Sequence, residues 1–140
     1  MKKILIVCLI IGCISFKQED DSINLYIQSL RLYLSDIKTD TIYVMKCFDI
    51  KLPSKLGRLN IVDIENSRQN IIKERGALYA IKISPIKLRN EIVEIGLTEY
   101  FVKEENDERI MSNSGSEIFS YQYDKPLHRY KLIKRTKNSF

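Results

Sequence analysis

Side chains capable of covalent or acid–base chemistry are few in this 140-residue chain, which has three cysteines and a single histidine. Nucleophilic and acid–base mechanisms need a base beside a reactive group, and zinc sites need several His or Cys ligands at short spacing. His128 falls in a predicted turn, and Cys47 falls in a predicted core strand beside Tyr43 and Met45, so neither supplies such a set. The run Ser112-Asn113-Ser114-Gly115-Ser116 lacks the lysine and following helix of a phosphate loop, and a hairpin turn is expected there. Glu91, Glu94 and Glu99 border or occupy one predicted strand, where exposed carboxylates are ordinarily solvated. Arg129, Lys131, Lys134, Arg135 and Lys137 interleave with Tyr130, a pattern that suits a solvated outer sheet face better than a nucleic-acid surface. Cys13 differs from all of these in its setting. It follows Ile10-Ile11-Gly12 at the end of the apolar run Ile4 to Cys13, directly behind Met1-Lys2-Lys3.

A positive start followed by an apolar helix orients a chain in the export machinery. Even extended to Phe16, the run falls below the roughly 17 to 20 apolar residues that span a bilayer core, so a permanent transmembrane helix is not expected. The ending Ile10-Ile11-Gly12-Cys13 resembles the lipobox of bacterial lipoproteins. That resemblance implies a diacylglyceryl group on the Cys13 thiol, cleavage before it and acylation of the new amino terminus. A cysteine suits the role through its nucleophilic thiolate, and a small residue before it gives the peptidase access. Each buried methylene contributes about 0.8 kcal/mol and one chain holds only marginally, so several acyl chains make a lasting anchor. A plain secretory signal with a chance cysteine, or the apolar start of a cytoplasmic domain, is the competing account. The following Lys17 to Asp21 cluster resembles the lysine or glutamine plus acidic signal for surface export in lipoproteins of the Bacteroidota, and it also fits a solvated acidic tether.

The expected organisation is therefore a signal over residues 1–12, a lipidated cysteine and tether over 13–21, and one domain over 22–140. A domain of that size buries roughly two-thirds of its unfolded surface. The formal charge of +5 includes Lys2 and Lys3, and losing both leaves +3, a mild basicity that points to no particular partner. With Cys8 removed and Cys13 acylated, Cys47 has no partner for an intramolecular disulfide. In the absence of Trp, packing falls to Leu, Ile, Tyr and Phe.

The elements that must position any site follow from periodicity. Ile23, Tyr26, Ile27, Leu30, Tyr33, Leu34 and Ile37 recur at helical spacing, with Asp21 or Ser22 as cap and Leu25 and Leu32 on the outer side. Thr41 to Phe48 reads as a strand, Leu52 to Gly57 as a loop and Asn60 to Ile64 as a short strand. Asn66 or Ser67 is expected to cap a helix running through Lys73 and ended by Gly76. From Ala77 the pattern is β throughout: strands at Ala77 to Ser84, Glu91 to Lys103, Glu117 to Tyr123 and Arg129 to Lys134, with a loose end after Thr136. The fold class is α+β: an N-terminal amphipathic helix packed on an antiparallel β-meander of about five to six strands, one face buried and the other wet. The order of elements is similar in outline to cystatin-like and nuclear-transport-factor-like folds.

The chain as a whole resembles small lipoproteins of the Bacteroidota, through its lipobox and the closing hairpin signals Ser112 to Gly115, Phe119 to Asp124 and Tyr130 to Leu132. That resemblance carries no biochemical assignment. The leading expectation is an envelope lipoprotein, anchored by lipid and most simply in the outer membrane, facing the periplasm or the surface. It acts as a non-enzymatic binding module for a protein or glycan, without cofactor, metal, catalytic residue or nucleic-acid partner. Two alternatives stand beside it: an immunity lipoprotein that neutralises a toxin, and a small enzyme with a pocket in a cone-shaped sheet. Cys13→Ala is expected to leave the chain unprocessed or released from membranes, and an acylated mutant that sediments like the wild type would contradict the anchor.

Overall fold

The computed structural model describes residues 23–66 and 70–139. Cys13, the tether and the expected caps Asp21, Ser22 and Ser67 lie outside the described residues. Helix α1 occupies residues 23–34. Its buried stripe is Leu25, Tyr26, Leu30 and Leu34, with Ser29 fully buried among them. The stripe is rotated from the one the spacing suggests. Leu25 lies inside at 5% exposure, whereas Ile37 lies past the last turn at 40% exposure. The physical reason is Ser29, whose hydroxyl donates to the Leu25 carbonyl oxygen at 2.9 Å and lies 2.8 Å from the Tyr121 hydroxyl. Because the serine proton is committed to the carbonyl, Tyr121 is the donor to Ser29 Oγ. A polar residue can therefore occupy the centre of the stripe with its bonding satisfied.

Eight strands follow: β1 Thr41–Lys46, β2 Lys55–Leu56, β3 Leu59–Asp63, β4 Ala77–Ile83, β5 Lys87–Arg89, β6 Ile92–Glu105, β7 Glu108–Asp124 and β8 Arg129–Ser139. A five-residue helix, α2, spans Ile71–Arg75 between β3 and β4. They form one open sheet in the order β2-β3-β1-β4-β6-β7-β8, with β5 paired to β6. The sheet is mostly antiparallel, but it is larger than expected and is not a simple meander, because β1 lies between β3 and β4 and runs parallel to both. Parallel neighbours need a crossover, and the connection containing α2 provides one. The cap of α2 is Asn70, whose side chain accepts from Lys73 N–H, not Asn66 as the sequence suggests. Gly76 closes the helix at φ 76°, a left-handed geometry that glycine adopts without strain.

The two faces carry separate cores. On the inner face α1 packs against Ile42, Val44, Ile81, Ile83, Val93, Ile95, Leu97, Phe119 and Tyr121. On the outer face α2 covers Met45, Leu78, Ala80 and Val102 through Ile72, with Ile64 completing the cluster. The outer face is thus partly roofed, and the expectation of one wholly wet face is corrected. Strand period also decides the long hairpin: Val93, Ile95 and Leu97 point inward while Glu94, Gly96 and Thr98 are half-exposed on the other side. Asn106 and Asp107 turn it with φ of 54° and 61°, the doubly left-handed geometry of a two-residue hairpin loop.

Several expected loops are strands. Ser112 to Ser116 continues β7 against β6, with Gly115 and Ser116 also paired to β8, and residues 136–139 belong to β8. Short strands also occupy the Leu52 to Gly57 and Pro85 to Asn90 segments. Cross-strand pairing outweighs the turn preference of Ser, Asn and Gly, leaving only Ser114 as an inserted residue where the β6–β7 register shifts. Conversely β1 stops at Lys46, so Cys47 is exposed and not a core thiol. Among the described residues no helix is long and apolar enough to cross a membrane.

Leu30→Ala is expected to cost about 2 to 5 kcal/mol, and Leu25→Ala a loss in the same range, since both side chains are buried. Ile37→Ala should fall within roughly 0.5 kcal/mol of wild type. Urea unfolding of the three variants checks the rotated stripe; a negligible loss for Leu25→Ala would contradict it.

Candidate functional site

Because α1 ends at residue 34, it leaves part of the inner face uncovered, and a groove opens there between its last turn and strands β1, β4, β6, β7 and β8. The groove has two adjoining parts, each of about 250 Å³, which share Tyr33, Ile37 and Glu99. One part is apolar, walled by Leu34, Ile42, Tyr79 and Ile81. Tyr79 is 59% exposed and its ring lies 5.3 Å from that of Phe101. The other part is polar and contains Asp36, Ser114, Ser116, Glu117, Arg135 and Lys137. Gly115 stands directly across from Glu99, and a Cβ there would lie 3.3 Å from the Asn138 carbonyl oxygen, so the close approach of the two chains favours glycine.

Glu117 follows the inward phase of Phe119 and Tyr121, which puts a carboxylate where the strand expects an apolar residue. Its side chain is only 3% exposed. Arg135 on β8 answers it, donating from Nε to Oε2 at 2.7 Å and from the guanidinium to Oε1 at 3.3 Å. Such a forked, charge-assisted pair is the arrangement that offsets burial of a carboxylate. The guanidinium also lies 5.6 Å from the Phe119 ring centroid and 3.8 Å from Asp36, tying the strand to the end of α1. The hydrogen bonds that Arg135 donates to Glu117 hold its pKa above the usual value.

Tyr33 donates to Glu99 Oε2 at 3.1 Å. Burial of the phenol, and next the charge and hydrogen bond of Glu99, push its pKa well above the ordinary tyrosine value. The phenol is therefore neutral across the physiological range and is a poor proton donor there. Among the described residues, two carboxylates of the groove are hydrogen-bonded within the chain, Glu117 to Arg135 and Glu99 to Tyr33. Among the described residues no three His, Cys, Asp or Glu side chains gather as metal ligands would.

The residues singled out in the sequence are dispersed. His128 sits in the β7–β8 turn, exposed, with Nδ1 3.5 Å from the Tyr123 hydroxyl. Exposed Cys47 lies just past the end of β1, and Cys13 lies outside the described residues. Of the three carboxylates, Glu91 is in a turn, Glu94 faces outward opposite Lys87, and Glu99 alone enters the groove. The cationic end is solvent-exposed as expected, but it is not confined to the outer face: Arg135 and Lys137 lie on the inner side, where they reach Glu117 at 2.7 and 3.7 Å. The tyrosines divide similarly. Tyr121 is core, Tyr43 lies beneath Arg75 and Tyr100 beneath Lys82, Tyr123 and Tyr130 pair with each other, and Tyr79 lines the groove. Tyr33, Glu117 and Arg135 as a set were not visible as a site; the one local signal was a charged residue in phase with Phe119 and Tyr121.

In an alkaline absorbance titration Tyr33 should ionise later than the exposed tyrosines. Its folded pKa is raised above the unfolded value near 10, so the stability it contributes is present below about pH 10 and is lost as pH rises beyond it. Tyr33→Phe should remove one late-ionising phenol; an unchanged late phase would contradict the assignment. No protein-family model matches this chain, and neither a curated protein nor a solved structure matches it.

Proposed function

We propose that the chain is a lipid-anchored lipoprotein of the cell envelope, of the Bacteroidota type, acting as a non-enzymatic binding module whose groove at the end of α1 receives a polypeptide partner. The observation that carries this reading is the uncovered inner face. A helix roofs most of the core yet stops short, leaving Tyr33, Ile37 and exposed Tyr79 beside polar groups that are hydrogen-bonded within the chain. An exposed aromatic set in a preformed apolar depression, rimmed by polar residues, is the usual anatomy of an anchoring site. The Ile10 to Cys13 motif supports attachment through Cys13, most simply to the outer membrane, on its periplasmic or outer side.

A helix lying on a long antiparallel sheet supports a cystatin-like or nuclear-transport-factor-like outline, from which the parallel strands β1, β3 and β4 depart. An immunity lipoprotein is the specific form of this reading in which the partner is a toxin. The enzyme alternative draws on one observation, the nearness of Glu99 and Glu117 on neighbouring strands in a polar cleft. The ion pair of Glu117 with Arg135 weighs against it, because both carboxylate oxygens already accept from the guanidinium.

The test is affinity capture from envelope extract with wild type and Tyr79→Lys. A charge placed on the groove wall should reduce retained partner about tenfold or more, with an unchanged thermal midpoint because Tyr79 is exposed. Identical retention by both proteins would remove the groove from the function.

A further inference from the structure

We propose that the apolar part of the groove is an anchor site for one arginine side chain of the polypeptide partner, with the guanidinium on Glu99 and the aliphatic stem laid along Ile37, Ile81 and Tyr79. The inference rests on the reading of the chain as a binding module and names the chemistry its groove selects. Its starting point is a charge imbalance. Glu99 is half-buried, and among the described residues it forms no ion pair; its recorded partner is the neutral phenol of Tyr33, which occupies Oε2. The neighbouring inner-face carboxylate, Glu117, is by contrast matched by both Arg135 and Lys137. Glu99 differs from the other carboxylates without an ion pair in facing an apolar wall inside a groove. Such a group favours a cation supplied from outside, since partial burial strengthens the attraction relative to water.

The walls narrow the class of cation. Leu34, Ile37, Ile42 and Ile81 are aliphatic and Tyr33 and Tyr79 are aromatic, so the ligand must carry apolar length behind its charge. Arginine and lysine both have such stems. A guanidinium is planar, weakly hydrated, able to fork onto a carboxylate and able to lie against a tyrosine ring, whereas an ammonium is costlier to strip of water. A metal ion would find a single carboxylate there, and an anion would find Arg135 already committed to Glu117.

The probes are three capped tripeptides, acetyl-Gly-X-Gly-amide with X as arginine, lysine or the neutral isostere citrulline, titrated into the detergent-solubilised full chain and followed by NMR. The arginine peptide should shift the amide resonances of Ile37, Tyr79 and Glu99 in a saturable way. The citrulline and lysine peptides should bind at least about tenfold more weakly. Glu99→Gln retains an acceptor for Tyr33 and should weaken the arginine peptide by a similar factor at an unchanged thermal midpoint. Equal binding of arginine and citrulline peptides to the wild type overturns the proposal without recourse to any variant, and lysine binding as tightly as arginine overturns it as well. In the capture assay, a Glu99→Gln protein that retains partner while Tyr79→Lys does not would sink the arginine anchor and leave the binding module standing. Capture unaffected by either change would sink both.

Discussion

A carboxylate with 3% of its side chain exposed sits at the junction of the last three strands, and the end of the molecule that bears the groove is arranged around keeping it neutralised. Removing an ion from water costs several kcal/mol unless its partners replace the lost hydration. For Glu117 those partners come from β8, so the register of that strand is fixed by charge as well as by its ladder: Glu117 lies across from Lys137, and Phe119 across from Arg135. Phe119 supports the guanidinium from below while Asp36 meets it from the end of α1. Helix end, sheet centre and sheet edge thus meet at one arginine.

The helix is held at its middle by a different device. Ser29 and Tyr121 are both fully buried, and their hydroxyls satisfy each other and the Leu25 carbonyl. A buried hydroxyl pair is tolerable only when every lone donor finds its acceptor, so this pair sets the rotation of α1 more tightly than aliphatic contacts would. That rotation brings Tyr33 over Glu99 and sends Ile37 to the rim. The groove is therefore a consequence of where the helix is pinned and where it stops.

Much of the local structure was legible from periodicity. The three-and-four spacing found α1, and alternation found β6, whose inward triplet is buried on one face, because such burial imposes those periods directly. Strand β4, buried on both faces, was legible by its β-branched and apolar run. The shift of the stripe from Ile27 toward Leu25 was not legible, since it depends on the hydroxyl of Tyr121, 92 residues away along the chain. The parallel placement of β1 between β3 and β4 was hidden for the same reason: pairing partners are chosen by the whole sheet. Ser112 to Ser116 read as a turn because its composition favours one, and only the ladder with β6, joined by β8 at Gly115 and Ser116, makes it a strand. The groove was hardest to see, as Tyr33, Glu99, Glu117 and Arg135 come from four separate elements. Nothing local separates Tyr79 on the groove wall from Tyr121 in the core.

The unequal layout of the sheet also bears on the order of assembly. Strands β6, β7 and β8 are joined by tight turns and pair with their sequence neighbours, so their loops close early and at little entropic cost. Strand β1 is made first but pairs with β3 and β4, and β3 has no place in the sheet until β1 has docked against β4. That layout predicts that the C-terminal hairpins supply the template and that the N-terminal third of the described chain joins it last. During synthesis α1 and β1 must wait, apolar faces unshielded, for strands that do not yet exist, which makes the interval before β4 and β6 emerge the period of greatest exposure to misassembly.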